Sequence, residues 1–149
     1  MNDDDRQRLR EVFEGNPLVA CVWLFGSHAR GTAKLGSDVD VALEPSREGG
    51  ELIAPYPGGP SVSRLRSQRL GLLSALVEAG FENVDLVILD PGDPVVRFEA
   101  LRHQDVIYQA PNFDAAQAFV RALREFDDTE KLRRGSERAL RERVLSVDA

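Results

Sequence analysis

The stretch Gly26-Ser27-His28-Ala29-Arg30-Gly31-Thr32-Ala33-Lys34-Leu35-Gly36-Ser37-Asp38-Val39-Asp40 holds the residues whose types and spacing could do chemistry. An apolar run, Leu18 to Phe25, stops abruptly at Gly26-Ser27. A buried strand ending this way and followed by a helical turn aims unpaired backbone N–H groups and a hydroxyl at one point. That makes an anion site suited to phosphate. Asp38 and Asp40, two apart in an alternating segment, project from one face of a strand. Two such carboxylates repel unless a cation lies between them, and hard oxygen donors suit Mg²⁺. A phosphate cradle beside a two-carboxylate metal site is equipment for phosphoryl or nucleotidyl transfer.

Each part has a plainer reading when taken alone. Ser27 could be a helix N-cap, Asp38-Val39-Asp40 the solvated face of an edge strand, and Arg30 and Lys34 ordinary surface charges. The joint pattern weighs against coincidence: a strand, Gly-Ser, ten residues, then Asp-x-Asp opening a second strand. His28 and His103 lack a second His or Cys at ligand spacing and read as surface or packing residues. Cys21 stands alone among apolar neighbours, so it reads as a buried structural thiol with no disulfide to make. Trp23 reads as core.

These residues need elements to hold them. A helix is expected over about Asp4 to Glu14, with Asp3 to Asp5 as N-cap candidates and Leu9, Val12 and Phe13 as its apolar stripe. Leu18 to Phe25 reads as a strand buried on both faces, and Ser27 to Gly31 as a turn of helix. Val39, Val41 and Leu43 alternate with Asp38, Asp40 and Ala42 as a second strand. Glu44 to Pro60 is rich in Pro and Gly and reads as a mobile surface loop, where Tyr56 could stack on a base. Helical periodicity resumes over Ser61 to Ala79, with Arg64, Arg66 and Arg69 on its first half. Val84 to Leu89 reads as a third strand closed by the turn Asp90-Pro91-Gly92. A short helix over Val95 to His103 and an edge strand over Val106 to Tyr108 follow. From Asn112 the chain reads as helical, with Phe119, Leu123 and Phe126 on a stripe and Gly135-Ser136 interrupting it before a last helix. The C-terminal helices, with Phe119, Phe126 and Leu140, are expected to pack on the core, with the covering of a partner as the alternative. The order implies an α/β (α+β) fold, a mixed sheet with helices mainly on one face and an open face for a ligand. One domain over 1–149 is expected, with a core of about 18–108 and a helical C-terminal part of about 112–147.

Composition narrows the function classes. The 149 residues carry a net charge of −6, which argues against gripping long DNA or RNA, a task for dense Lys/Arg surfaces. A small anionic substrate stays possible, because metal ions and a few donors can offset its charge. The N-terminus is acidic and polar, unlike a secretory signal, and no apolar run approaches the roughly 20 residues that span a bilayer. No membrane role and a cytoplasmic location are expected.

Gly26-Ser27, the ten-residue spacer and Asp38-x-Asp40 resemble the signature of the DNA polymerase beta-like nucleotidyltransferase superfamily. The fuller pattern, Phe-Gly-Ser-x-Ala-Arg-Gly and then Ser-Asp-x-Asp, looks like its minimal nucleotidyltransferase (MNT) branch, over roughly Leu18 to Tyr108. The resemblance implies a third carboxylate on a later strand. Asp85 is the match; its plainer reading is a solvated strand start, and Asp90 is the rival, placed in a turn where a structural Asp is expected. It further implies two Mg²⁺ ions held by Asp38, Asp40 and Asp85, and ATP phosphates held by Gly26 and Ser27. Arg30 is then a phosphate contact or a structural salt bridge. Asp85 could take the proton of an attacking hydroxyl. The MNT branch resembles antitoxins paired with HEPN ribonuclease toxins, which implies AMP transfer to a toxin tyrosine and a complex with that partner. Two alternatives stay open: an aminoglycoside-type small-molecule nucleotidyltransferase, for which the chain lacks an added substrate domain, and a non-catalytic module acting by binding.

Overall fold

The computed structural model describes residues 1–46, 60–90 and 92–147. The expected loop of Glu44 to Pro60, Tyr56 included, lies largely outside the described residues, as does Pro91 of the expected turn.

Apolar side chains on strands and helices sort into two faces of one sheet. Strands β1 (Val19–Phe25), β2 (Val39–Pro45), β3 (Val84–Ile88) and β4 (Asp105–Gln109) form a four-stranded sheet in the order β3-β2-β1-β4. β1 is antiparallel to β2 and β4, whereas β2 and β3 run parallel. The sheet is therefore mixed, as the short connection between the first two strands predicts. β1 is central and buried on both faces, which explains its unbroken apolar run.

Helix α1 (Asp3–Phe13) begins at a capping box. Asn2, rather than one of the three following aspartates, is the cap, and Asp5 reaches back to its N–H. Helix α2 is the single turn Gly26–Arg30. The periodic segment expected over Ser61 to Ala79 is divided into α3 (Pro60–Ser67) and α4 (Arg69–Glu78). The break falls at Gln68, whose side chain accepts a hydrogen bond from Asn16 at 2.9 Å. Arg66 of α3 pairs with Asp90 at 3.2 Å and Arg69 of α4 donates to the Leu86 carbonyl, so these arginines tie the helices to β3 and its exit. Helix α5 spans Pro94–Leu101, capped by Asp93.

Helix α6 runs without a break from Ala115 to Val147. The expected interruption at Gly135-Ser136 is absent, and the reason is local. One helical Gly costs about 1 kcal/mol, too little to stop a segment of strong helix formers on both sides. The packing expected of this region is also corrected in part. Phe126 stacks on Phe98 with ring centroids 4.2 Å apart, but Leu123 and Leu140 are exposed.

Two cores result. On one face Leu9 and Phe13 of α1, Leu65 of α3 and Leu72 and Leu76 of α4 pack against Val22, Leu24, Val41, Leu43 and Leu86. On the other, Ala100 and Leu101 of α5 and Ala115 and Ala122 of α6 cover Cys21, Trp23 and Ala42. Three helices thus share one face, and the second is open only where α5 and α6 leave it. Burial pushes the Cys21 thiol up to about 12, in keeping with an inert core residue. Trp23 meets Phe113 edge-on, centroids 5.9 Å apart.

Candidate active site

The alternation along β2 and β3 decides where the carboxylates go. Asp40 precedes Ala42 by two residues and Asp85 precedes Val87 by two, so both carboxylates belong to the face whose inner part α5 and α6 cover. The parallel register sets Asp40 directly beside Asp85. Asp38 lies just before β2, where Val39 donates to the Asn83 carbonyl at 2.8 Å. A tight turn presents it: the Ser37 N–H donates to the Lys34 carbonyl at 3.0 Å, and Ser37 Oγ accepts from the Lys34 N–H at 2.8 Å. All three sequence-predicted carboxylates are therefore at one end of the sheet, on neighbouring strands.

Gly26 brings the phosphate-cradle segment to the same place. The antiparallel register pairs Phe25 with Asp40. Gly26 then takes φ +69°, and a Cβ added there would meet Asp40 Oδ2 at 2.0 Å. Two independent reasons thus require glycine: the left-handed backbone and the carboxylate pressed against its open side. Ser27 follows in the first turn of α2, with its carbonyl accepting from the Thr32 N–H at 3.0 Å. Among the described residues nothing holds the Ser27 hydroxyl, and the side-chain carboxylates of Asp38, Asp40 and Asp85 accept no hydrogen bond and form no ion pair. Arg30 is exposed on the last turn of α2 and forms no ion pair among the described residues.

Electrostatics mark Asp40 as the strained centre. Its carboxyl titrates above the ordinary range, first because burial penalises the charge and then because Asp85 and Asp38 repel it; His28 and Arg30 act in the opposite sense. The donor set is all carboxylate, with an excess of negative charge, and so fits a hard divalent cation such as Mg²⁺. The side chains are not converged on one point: among the described residues no three His, Cys, Asp or Glu groups are placed to hold a metal ion as they stand.

Asp90 belongs elsewhere. It accepts from the Gly92 N–H at 2.9 Å and from Arg66, which is structural work at the opposite end of β3. Sequence reasoning missed the position of His28. Its Nε2 lies 3.5 Å from the Ser37 carbonyl and its Nδ1 is buried without a hydrogen-bond partner among the described residues. Only the contact between α2 and the turn before Asp38 reveals this. It also missed Arg97, which is buried and pairs with Glu44 at 2.7 Å. That pair lines a hollow of about 940 Å³, with Tyr108 and Arg121, at the far end of the sheet, and no candidate carboxylate reaches it.

Comparison with known proteins bears on this geometry. The sequence model of a family described as "Polymerase beta, Nucleotidyltransferase" matches residues 7–112. Among solved structures, a toxin-antitoxin with AMP-PNP is 19% identical, with a TM-score of 0.62 over 91% of this chain and 97% of that one. A toxin-antitoxin MntA-HepT is 17% identical, TM-score 0.58, over 93% and 98%. A tri-AMPylated Shewanella oneidensis HEPN toxin in complex with MNT antitoxin is 17% identical, TM-score 0.56, over 94% and 98%. At such identities the likeness is one of fold. No curated protein matches the chain. Among the described residues no helix is long and apolar enough to cross a membrane.

Proposed function

The chain belongs to the polymerase beta nucleotidyltransferase family, and from that premise we propose that it is a Mg²⁺-dependent adenylyltransferase antitoxin, moving AMP from ATP to a tyrosine of a cognate HEPN toxin. The observation that carries the reading is the meeting of Asp40 with Asp85 on paired strands and with Gly26 at the start of α2. Further support comes from the likeness of the fold to structures of toxin–antitoxin complexes, one with AMP-PNP and one with an AMPylated toxin. The whole chain acts as one nucleotidyltransferase domain, and the reaction belongs in the cytoplasm, where ATP is at hand.

In this reading Asp38, Asp40 and Asp85 hold two Mg²⁺ ions. The ions supply charge neutralisation for the triphosphate and its leaving group. The remaining work falls to the chain. Backbone N–H groups at Gly26 and Ser27, with the Ser27 hydroxyl, grip the β- and γ-phosphates, and Arg30 adds a cation at the rim. Asp85, exposed on the edge strand, accepts the proton of the attacking tyrosine hydroxyl. The tyrosine oxygen bonds to the α-phosphorus, the bond from that phosphorus to the bridging oxygen breaks, and pyrophosphate leaves. Alignment of the two oxygens is what positioning contributes to the rate.

Intact-mass spectrometry of the protein encoded beside this chain, after incubation with it and Mg-ATP, tests the proposal. The expected result is a gain of whole AMP units on a tyrosine, absent with the Asp38→Asn/Asp40→Asn variant. No gain in the presence of a stable complex would overturn transfer in favour of inhibition by contact.

A further inference from the structure

The three carboxylates of the site are not held alike. Asp40 and Asp85 stand on paired strands, and the ladder fixes their backbone: Asp40 has Phe25 on one side and Asp85 on the other. Asp38 precedes the first residue of β2 and has no partner in the ladder. It ends the connection from Gly31, in which Leu35 is fully exposed. After Asp38, the Val39 N–H anchors the chain to the Asn83 carbonyl. Before it, some other contact must do the same, because an exposed carboxylate on a loose backbone spends little time where a ligand needs it.

His28 supplies that contact. Its Nε2 lies 3.5 Å from the Ser37 carbonyl; a carbonyl only accepts, so Nε2 carries the hydrogen and donates. Among the described residues no other hydrogen bond or ion pair joins α2 to the turn Lys34–Ser37. The peptide unit is planar, so a hold on the Ser37 carbonyl oxygen also orients the N–H of Asp38 and the backbone that follows. The turn itself is stiffened by the two bonds between Ser37 and Lys34. The other ring nitrogen argues for this role. Nδ1 is buried with no hydrogen-bond partner among the described residues. An apolar side chain of similar size would avoid that desolvation cost, so the imidazole is explained by what Nε2 does and not by packing. Because His28 directly follows Ser27, the same ring ties the phosphate cradle to the metal ligand.

The geometry points to His28 as a positioning residue that latches α2 to the turn before Asp38 and so sets this carboxylate for the metal-bound nucleotide. The inference deepens the proposed function and rests on it. The test titrates Mg²⁺ into the full chain with a fluorescent non-hydrolysable ATP analogue and reads bound nucleotide by anisotropy, with no turnover involved. His28→Leu fills the space without a donor. It should raise the half-saturating Mg²⁺ concentration about 10-fold, the loss expected when a metal ligand's supporting contact is removed. His28→Gln, whose amide can reach the same carbonyl, should recover most of that loss. In an Asp38→Asn background His28→Leu should add nothing further, because the ring acts through that carboxylate. Ser37→Ala loosens the same turn without touching the buried ring. It should shift the titration in the same direction, which keeps the inference testable should His28→Leu not fold. No Mg²⁺-dependent binding by the native chain would overturn the proposed function and the latch with it. Four results would overturn the latch alone: native affinity in folded His28→Leu, a loss that His28→Gln does not recover, an undiminished further loss in Asp38→Asn, or native affinity in Ser37→Ala.

Discussion

Asp40 carries the tension of the site. Its carboxyl is raised above the ordinary value of 3.8 by burial, then by Asp85 and Asp38, so the folded chain holds that proton more tightly than the unfolded one. Stability must then fall as pH rises from 3.8 through the raised value, and the loss is complete above it. Asp40→Asn removes the charge. Without Mg²⁺ the variant should melt above the parent at neutral pH, with the gap closing as pH falls toward 3.8; an equal or lower melting temperature at neutral pH would show that the repulsion is relieved some other way. Gly26 gives a sharper case. Gly26→Ala forces a left-handed alanine, worth about 1–2 kcal/mol, and drives its Cβ into Asp40. Gly31, at φ +72°, has nothing within 4 Å of such a Cβ. Gly31→Ala should therefore lose stability in denaturant titrations but keep nucleotide binding, while Gly26→Ala loses both. The type and spacing of Gly26, Ser27, Asp38 and Asp40 were legible in the sequence. The touch between Gly26 and Asp40, and the place of His28 behind the turn, were not, because both arise from strand pairing across a connection of more than ten residues.

Among the elements, strands read well and helices less so. β1 and β2 follow from an unbroken apolar run and a clean alternation, two patterns that burial dictates directly. The register of β2 with β3 sets Asp85 beside Asp40, and no local pattern specifies it. The split between α3 and α4 falls at Gln68, which takes a hydrogen bond from the distant Asn16, and the continuity of α6 fits the modest cost of Gly135; neither is a matter of periodicity. The Arg97–Glu44 pair is a similar tertiary feature. It joins α5 to the end of β2 with side chains only 11% and 18% exposed. Arg97→Met should cost about 3 kcal/mol, since removal of one partner of a buried pair leaves the other charge poorly compensated. A shift in the urea midpoint measures this, and a loss below ~1 kcal/mol would show that Glu44 finds enough support from its other contacts.

At the scale of the whole molecule, one sheet separates two tasks. The face with α1, α3 and α4 is a closed core, while the opposite face is closed by α5 and α6 over Trp23 and left free at Asp40 and Asp85. The sheet thus leaves the carboxylates at one of its ends, with Asp38 and Asp85 exposed to solvent. The claim on which all of this turns is that Asp38, Asp40 and Asp85, with Gly26 and Ser27, form a site for a metal-bound nucleotide. Isothermal titration of the full chain with a non-hydrolysable ATP analogue, with Mg²⁺ and then with EDTA, tests it without any partner. The account predicts saturable binding that needs Mg²⁺ and weakens at least ~10-fold in Asp40→Asn, the least that groups supporting a metal's ligands are worth. Equal binding in EDTA, or full affinity in Asp40→Asn, would contradict it.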